Sequence, residues 1–413
     1  MNPNDILIES YVAQPSSLRI AIVTETFPPE VNGVAMTLGR IVEGLLRRGH
    51  QIQLVRPRQA SEGSNPPSDH LNEVLCQGIQ IPAYKDLRFG LPLKSRLTKL
   101  WKEKRPDIVH VATEGPLGWS AVAAARKLQL PISSSFHTNF HNYSQHYGIG
   151  LLKTPIEAYL RKLHNRTEAT MVPTRALAHE LQGRGFKNVT LLSRGVDTDL
   201  FSPAKRSQSV RDGWGASPED VVVLLVGRLA KEKNVGLVIA AFQAIKLRMP
   251  NARLVFVGDG PMRNEMEKTC PDAIFAGVRK DEDLAAHYAS GDLFLFPSLT
   301  ETFGNVVPEA LASGLAVLSY DIAGAKELIT NGQNGMLVTP GDELKFINAA
   351  IELATDMPRQ QKIRQNAASS VAHLGWETIY SSFVGTLTGI LDSRQFSLQT
   401  KQLNSGSVIH SNA

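Results

Sequence analysis

The chain has 413 residues, of which 42% are hydrophobic and 20% charged, which is typical of a folded protein with two domains. Its formal net charge of +5 and its pI of about 9.1 permit a polyanionic partner or an anionic membrane surface but do not require one. The sequence contains no helix-turn-helix, zinc-finger or RNP-type pattern, so we expect no nucleic acid partner.

The sequence also bears on the cellular compartment. No apolar stretch approaches the length that crosses a bilayer, and residues 1–17 lack the basic and apolar segments of a secretory signal. Cys76 and Cys270 have no metal-ligand spacing and suggest a reducing compartment in which thiols stay free. We therefore expect a cytoplasmic protein, with peripheral contact to the inner face of the membrane as an open alternative.

Short apolar strands alternate with helical patterns along almost the whole chain. Strands are predicted in the first half at Arg19–Thr24, Gln51–Arg56, Ile108–Val111, Ile132–Phe136, Thr170–Pro173 and Val189–Leu192. Helices are predicted between them at Ala35–Arg48, Leu117–Leu128 and Thr174–Gln182. After a polar gap, strands are predicted at Val221–Val226, Leu254–Val257, Ala273–Phe275, Leu293–Phe296, Ala316–Ser319 and Met336–Val338. Such alternation is typical of βαβ units that build parallel sheets covered by helices.

The polar gap at Ser202–Asp220 divides this pattern into two similar halves. The predicted fold class is α/β, with two Rossmann-like domains whose parallel sheets face each other across a cleft. We assign residues 18–200 to the first domain and 201–375 to the second. Residues 376–392 are predicted to form a helix that packs back on the first domain, and residues 393–413 a disordered tail.

Glu301 and Glu309 bracket a loop that leads from a buried strand into a helix, with Pro308 predicted at the first helical position. Backbone N–H groups at a strand end and a helix N-terminus attract an anion, while two carboxylates accept hydrogen bonds from hydroxyls. A nucleotide-sugar offers this combination of phosphate and polyol. The helix dipole alone also favours a Glu in the first helical turn. Whether Glu309 belongs to a binding site is therefore judged from the residues in the neighbouring loops.

Ligands of open parallel sheets bind beyond the carboxyl ends of the strands, where several other candidates stand. Arg228 and Lys233 follow one strand and would bind a diphosphate, unless they only form a solvated basic loop. Gly258 and Gly33 allow a close approach of the backbone to a ligand, or else form ordinary turns. His137 follows the strand Ile132–Phe136. It is either a catalytic group or a structural residue that forms hydrogen bonds.

Two patterns bear on a metal ion. His141 and His146 have a spacing to His137 that would permit a metal, but no carboxylate or cysteine completes the ligand set. Asp197–Asp199 and Asp281–Asp283 both match Asp-x-Asp, the second at a helix start where acidic residues complement the dipole. We therefore expect neither a metal nor another cofactor.

Four segments together resemble the large retaining glycosyltransferase family with the GT-B fold, which includes phosphatidylinositol mannosyltransferases, sucrose synthases and sulfolipid synthases. They are Arg19–Val34, Gly227–Lys233, Val257–Pro261 and Glu301–Glu309. The resemblance covers about residues 18–390 and includes an intact Glu-x7-Glu spacing. Arg194 departs from the sequence pattern of this family, because many relatives have Asn before Gly-Val-Asp.

The resemblance implies a role for each matching residue. Glu301 and His137 would contact the donor sugar, and Glu309 the ribose of the nucleotide. The diphosphate leaving group would be held by Arg228 and Lys233. The remaining donor contacts would come from Phe303, Gly304, Asn305, Gly33, Gly258 and, near the base, Val278.

The implied reaction moves a hexose, with mannose the first expectation, to a hydroxyl of a lipid, lipid-linked or saccharide acceptor. The donor would be a nucleotide diphosphate sugar, GDP-mannose or a UDP-hexose, and the anomeric configuration would be retained. The second domain would bind this donor and the first the acceptor. The alternatives are a nucleotide-sugar epimerase of the same fold and a non-catalytic protein that binds polyanions or membranes.

A basic helix is predicted at Leu93–Arg105, with Leu93, Leu97, Leu100 and Trp101 on one face. Such a helix can lie on an anionic membrane. It can equally bury its apolar face in its own domain, which is the interpretation we prefer.

Overall fold

Two parallel β-sheets, each covered by helices, organise the chain in the computed structural model. The structure describes residues 17–30, 32–58, 70–81, 84–137 and 153–406. The predicted α/β architecture of two Rossmann-like domains is confirmed. No helix in these ranges combines the length and the apolar character that crossing a bilayer requires.

The first sheet has seven parallel strands in the order β3-β2-β1-β6-β7-β8-β9. Their bounds are β1 Arg19–Val23, β2 Gln51–Pro57, β3 Leu71–Cys76, β6 Ile108–Val111, β7 Ile132–Ser135, β8 Ala169–Val172 and β9 Val189–Leu191. An antiparallel hairpin of β4 (Gly78–Ile81) and β5 (Tyr84–Gly90) follows β3. The sequence predicted none of β3 to β5. β3 lies at the sheet edge with only Cys76 fully buried, so it lacks the apolar run of a central strand.

The second sheet has six parallel strands in the order β12-β11-β10-β13-β14-β15. Their bounds are β10 Val222–Val226, β11 Arg253–Val257, β12 Ile274–Gly277, β13 Leu293–Phe296, β14 Ala316–Tyr320 and β15 Met336–Val338. In β10 every side chain is buried, with Val223 and Leu225 in one apolar cluster and Leu224 in another. Burial on both faces explains why these strands are continuous apolar runs in the sequence.

The helices of the first domain are α1 Gly33–Arg47, α2 Lys94–Glu103, α3 Pro116–Lys127, α4 Lys153–His164 and α5 Arg175–Gly183. Those of the second are α6 Gln208–Gly213, α7 Val235–Lys246, α8 Arg263–Thr269, α9 Asp281–Ser290, α10 Val306–Ala312, α11 Ala323–Leu328, α12 Glu343–Thr355 and α13 Met357–Ser370. In α2, Leu97 and Trp101 are buried and the indole donates a hydrogen bond of 2.6 Å to Gln53. The apolar face of the basic helix therefore packs inside its own domain.

The last helix, α14 (Trp376–Gly406), returns to the first domain. Its Ile379 and Phe383 join the cluster that contains Ile20 of β1. The helix corrects the first part of the predicted tail, because it continues past Ser393 to Gly406, whereas residues 407–413 lie outside the described residues. Arg394 anchors this extension by an ion pair with Glu168 and a 2.8 Å hydrogen bond to the carbonyl of Gln129.

Each sheet has a point at which its strand order reverses. In the first sheet this point lies between β1 and β6, and in the second between β10 and β13. Loops that leave the carboxyl ends of such neighbouring strands diverge to opposite faces and leave a crevice, where ligands of open α/β sheets bind. The segments that follow these four strands are therefore the places at which this fold would bind a ligand.

Candidate active site

The loops after β10 and β13 are joined at the reversal point of the second sheet. Lys233 forms an ion pair with Glu301, although the two residues are 68 positions apart in the sequence. Ser298 donates a second hydrogen bond, of 3.0 Å, to the same carboxylate oxygen. The ammonium of Lys233 also lies 5.3 Å from the centre of the Phe296 ring. Two predicted site residues of opposite charge therefore share one point of the crevice.

Arg228 and Gly258 lie in the loops that follow the neighbouring strands β10 and β11. Arg228 is exposed directly after β10, so its charge is accessible from the solvent. Gly258 has a φ of +136°, and a Cβ added there would lie 2.0 Å from the carbonyl oxygen of Gly227. Glycine is thus required because two backbones touch. This contact is a reason for Gly258 that the sequence did not indicate.

Glu309 lies in the first turn of α10 and accepts a 2.8 Å hydrogen bond from the hydroxyl of Tyr288. Burial raises the pKa of Glu309 to about 7, against the lowering effect of that hydrogen bond. The helix begins at Val306, two residues before the predicted start at Pro308. Tyr288 comes from the preceding helix, α9, and nothing in its local sequence marks it as a partner of Glu309.

The turn between Glu301 and α10 contains Phe303, Gly304 and Asn305, which are predicted to contact the donor. Phe303 is buried, and its carbonyl accepts a 2.8 Å hydrogen bond from the N–H of Gly324. Gly304 has a φ of +84°, a left-handed conformation that favours glycine. A Cβ added at Gly33 would lie 3.7 Å from the amide nitrogen of Asn305. The loop before α1 and the loop before α10 therefore face each other across the cleft.

Val278 stands apart from this group. It follows β12, the edge strand of the second sheet, and its side chain is 59% exposed. β12 lies two strands, or about 10 Å, from β10.

His137 lies on the first-domain side of the cleft, two residues after the end of β7. Its carbonyl oxygen accepts a 3.2 Å hydrogen bond from the hydroxyl of Thr302, which links the two domains. Its backbone N–H donates to Glu114 at 3.3 Å, and its ring nitrogen Nδ1 is hydrogen-bonded to Arg194. Burial, followed by the charge of Arg194, holds the pKa of His137 well below its usual range. The ring is therefore neutral at pH 7.

Two carboxyls that the sequence prediction left out of the site follow β1 and β6. Glu25 is buried and accepts a 2.9 Å hydrogen bond from the N–H of Leu117 at the start of α3. Burial raises its pKa to about 7, with a smaller contribution from Glu114. A Cβ on Gly115 would collide with the Glu25 carboxyl, at 1.8 Å. The rule that ligands bind at the strand reversal could have marked both carboxyls as candidates.

The Asp-x-Asp segments are engaged in the protein's own contacts. Asp197 pairs with Arg40 at 3.3 Å, and Asp283 pairs with Arg279 at 3.1 Å. Across the described ranges, no three His, Cys, Asp or Glu side chains are gathered as a metal-binding group. His141 and His146 lie outside the described residues.

Two Rossmann-like domains with facing reversal points define the GT-B class of fold. A solved structure of the same shape is the sucrose-phosphate synthase of Thermosynechococcus elongatus, with a TM-score of 0.72 and 18% sequence identity. That similarity covers 91% of this chain and 100% of the other.

Sequence comparisons place the chain within this class. Residues 31–200 match the description Glycosyltransferase Family 4, and residues 220–356 match Glycosyl transferases group 1. A GDP-mannose-dependent alpha-mannosyltransferase of Corynebacterium glutamicum is 33% identical over 88% of this chain and 86% of its own length. Sulfoquinovosyl transferase SQD2 of Arabidopsis thaliana is 30% identical over 89% of this chain and 74% of its own length. The chain belongs to the glycosyl transferases group 1 family and is a glycosyltransferase.

Proposed function

We propose that this glycosyltransferase moves a mannosyl group from GDP-mannose to an acceptor hydroxyl, with retention of the anomeric configuration. The observation that carries the proposal is the Lys233–Glu301 pair at one strand reversal, joined through the neighbouring Thr302 to His137 of the other domain. A cation for phosphate and a carboxylate for sugar hydroxyls thus stand side by side. The similarity to a GDP-mannose-dependent enzyme supports the choice of donor. A UDP-hexose is the next candidate.

The donor roles follow from charge and position. Arg228 and Lys233 hold the diphosphate and stabilise the charge that develops on it as the sugar leaves. Glu309 accepts hydrogen bonds from the ribose, and Tyr288 orients its carboxyl. Glu301 accepts from hydroxyls of the sugar. Because these cations can supply the charge that a metal ion would otherwise supply, we propose that transfer needs no metal.

The acceptor site lies on the first domain, beside Glu25 and Glu114 at the ends of β1 and β6. The buried carboxyl of Glu25 and the partly buried carboxyl of Glu114 suit an acceptor with hydroxyl groups, and we propose a lipid, lipid-linked or saccharide acceptor. The exposed Lys94, Lys99 and Lys102 of α2 would attract an anionic membrane surface. Because the apolar face of α2 is buried, such binding would be electrostatic and lost at high salt. Flotation with anionic vesicles at low and high salt tests this point.

The first experiment measures thermal stability of the protein with GDP, UDP and ADP and their sugar conjugates, without added metal. A nucleotide that binds the folded state raises the melting temperature by mass action. We expect a shift with GDP that shrinks in Arg228→Ala and Glu309→Ala variants. Arg248→Ala and Glu343→Ala, at exposed positions of the same domain, serve as matched controls. No shift with any nucleotide would contradict the proposed donor class.

Product analysis then separates transfer from epimerisation. A transferase needs an acceptor and forms a new glycosidic bond, whereas an epimerase converts the sugar nucleotide without one. The anomeric configuration of the product, read by NMR, tests retention. An altered free sugar or sugar nucleotide, formed without acceptor, would support the epimerase instead.

A further inference from the structure

Arg194 occupies a fixed place in the segment that leaves the first sheet after β9. The next residue, Gly195, packs beneath Trp376, and an added Cβ would lie 2.6 Å from the indole ring. Val196 donates a 3.0 Å backbone hydrogen bond to the carbonyl of Leu374. These contacts hold the backbone that directly follows the arginine. The Arg194 side chain is directed inward and is only 7% exposed.

Within the described residues, the hydrogen-bond partner of Arg194 is Nδ1 of His137. A guanidinium has five N–H donors and no acceptor, so it can only donate to this nitrogen. Nδ1 must therefore present its lone pair. Burial lowers the pKa of Arg194 to about 10, which leaves the guanidinium charged at pH 7.

The other ring nitrogen of His137 then carries the hydrogen. A neutral imidazole has one N–H and one lone pair, and the lone pair at Nδ1 is already engaged. The charged or titratable groups around the ring are Arg194, His110, His164 and Glu114. Nε2 is shielded from solvent and has no hydrogen-bond partner among the residues that the structure describes. A buried donor without a partner costs free energy, which a ligand oxygen would recover.

We infer that Arg194 is a positioning residue, which holds His137 so that Nε2–H donates a hydrogen bond to a substrate hydroxyl oxygen. This inference rests on the proposed function only in assigning that oxygen to the sugar or its acceptor. With its one lone pair engaged by Arg194, His137 cannot take the proton of the acceptor hydroxyl and is not the base of the reaction.

The tautomer of His137 can be measured without any substrate. Long-range ¹H–¹⁵N correlation spectra of the full chain, labelled with ¹⁵N-histidine, distinguish a ring protonated at Nε2 from one protonated at Nδ1 or at both. A His137→Gln variant assigns the signal. We expect the Nε2–H pattern between pH 6.5 and 8. An Nδ1–H ring or an imidazolium in this range overturns the inference.

Variants at Arg194 link the tautomer to turnover. Lysine also only donates, so Arg194→Lys should keep the Nε2–H form and most of the activity. Glutamine can donate or accept, so Arg194→Gln should give a mixture of tautomers. Glutamate accepts, so Arg194→Glu should place a hydrogen on Nδ1, and the ¹⁵N spectrum distinguishes the Nδ1–H ring from an imidazolium. The Nδ1–H ring should lower kcat about tenfold or more, the loss typical of one buried hydrogen bond. Thermal midpoints and circular dichroism verify that each variant folds.

The outcomes separate the possible causes. Loss of kcat in step with the Nε2–H fraction supports the positioning role. Loss of activity in Arg194→Gln with the Nε2–H form fully retained would overturn it, because Arg194 would then act on the substrate itself. If Arg194→Glu does not fold, the wild-type, lysine and glutamine forms still decide. If no nucleotide-sugar is turned over, the proposed function fails, whereas the tautomer spectrum still tests the role of Arg194.

Discussion

At the scale of single residues, the ion pair between Lys233 and Glu301 joins two groups that are proposed to bind different parts of the donor. In the proposed site, a diphosphate would bind to the ammonium of Lys233, and sugar hydroxyls would bind to the carboxylate of Glu301. Their contact holds both groups in place and partly neutralises both charges. Binding of the nucleotide and transfer of the sugar should therefore respond differently when the carboxylate is replaced.

Replacement of Glu301 by Gln should separate these two effects. Removal of the negative charge beside Lys233 should tighten binding of the free nucleotide diphosphate by about threefold to tenfold, because about 1 kcal/mol of repulsion is lost. Transfer should fall by about a hundredfold, because the amide binds the sugar hydroxyls less well in the transition state. Calorimetric titration and initial rates measure the two quantities. Nucleotide binding weakened as much as in Lys233→Ala would contradict this assignment, and the exposed Glu103→Gln is the control.

Glu309 should make stability depend on pH. Its folded pKa of about 7 lies above the ordinary value of 4.5. The protonated carboxyl therefore contributes stability that is fully present below pH 4.5 and is lost as the pH rises through about 7. A Glu309→Gln variant lacks this loss. Relative to the wild type, it should gain about 2 kcal/mol in the free energy of unfolding between pH 5.5 and pH 8. Urea denaturation at both pH values measures the gain. If the difference in free energy of unfolding between variant and wild type is the same at both pH values, Glu309 is ionised without penalty.

At the scale of elements, the close contact between α1 and α14 requires a glycine, which has no side chain. A Cβ added at Gly44 in α1 would lie 2.2 Å from the ring of Tyr380 in α14. The ring stacks on Trp376 and lies within 5.6 Å of the guanidinium of Arg48, which limits its freedom to move aside. Gly44 is thus one position at which the returning helix packs closely against the first domain.

Two glycine-to-alanine changes should have opposite signs. Gly44→Ala should lower the free energy of unfolding by about 1–3 kcal/mol, because the extra methyl overpacks the contact. Gly385 lies in α14 with no atom near its added Cβ, so Gly385→Ala should raise it by about 0.5–1 kcal/mol through helix propensity. Chemical denaturation measures both. Equal effects at the two positions would refute the close contact between α1 and α14.

The elements that the sequence predicted correctly are those with a local signal. Strands such as β10 and β13 are buried on both faces and read as apolar runs. The hydrogen bond between Tyr288 and Glu309 and the contact of Arg194 with His137 join residues 21 and 57 positions apart. No local pattern specifies such pairs, because packing of separate elements creates them. The length of α14 was missed for the same reason, since Arg394 is held by the distant Glu168.

At the scale of the whole molecule, the two domains touch at several points around the cleft. Thr302 bonds to the carbonyl of His137, and Asn305 lies opposite Gly33. Farther out, the backbone N–H of Arg175 at the start of α5 donates to Glu327 of α11 at 3.2 Å, and their side chains lie 3.6 Å apart. Small polar contacts of this kind can be broken and re-formed, as closure over a donor would require.

Glu327→Ala should loosen the outer contact between the domains without unfolding either of them. It removes one hydrogen bond and an ion pair whose arginine is largely exposed, together worth about 1 kcal/mol. Hydrogen exchange of the first-turn amides of α5 should then become up to about fivefold faster, since exchange follows the population of the open form. A nucleotide-sugar that bridges both domains should restore the slower rate. Glu219→Ala, at an exposed position of the second domain, should change nothing. Unchanged exchange in Glu327→Ala would mean that the contacts at His137 and Asn305 suffice to hold the domains together.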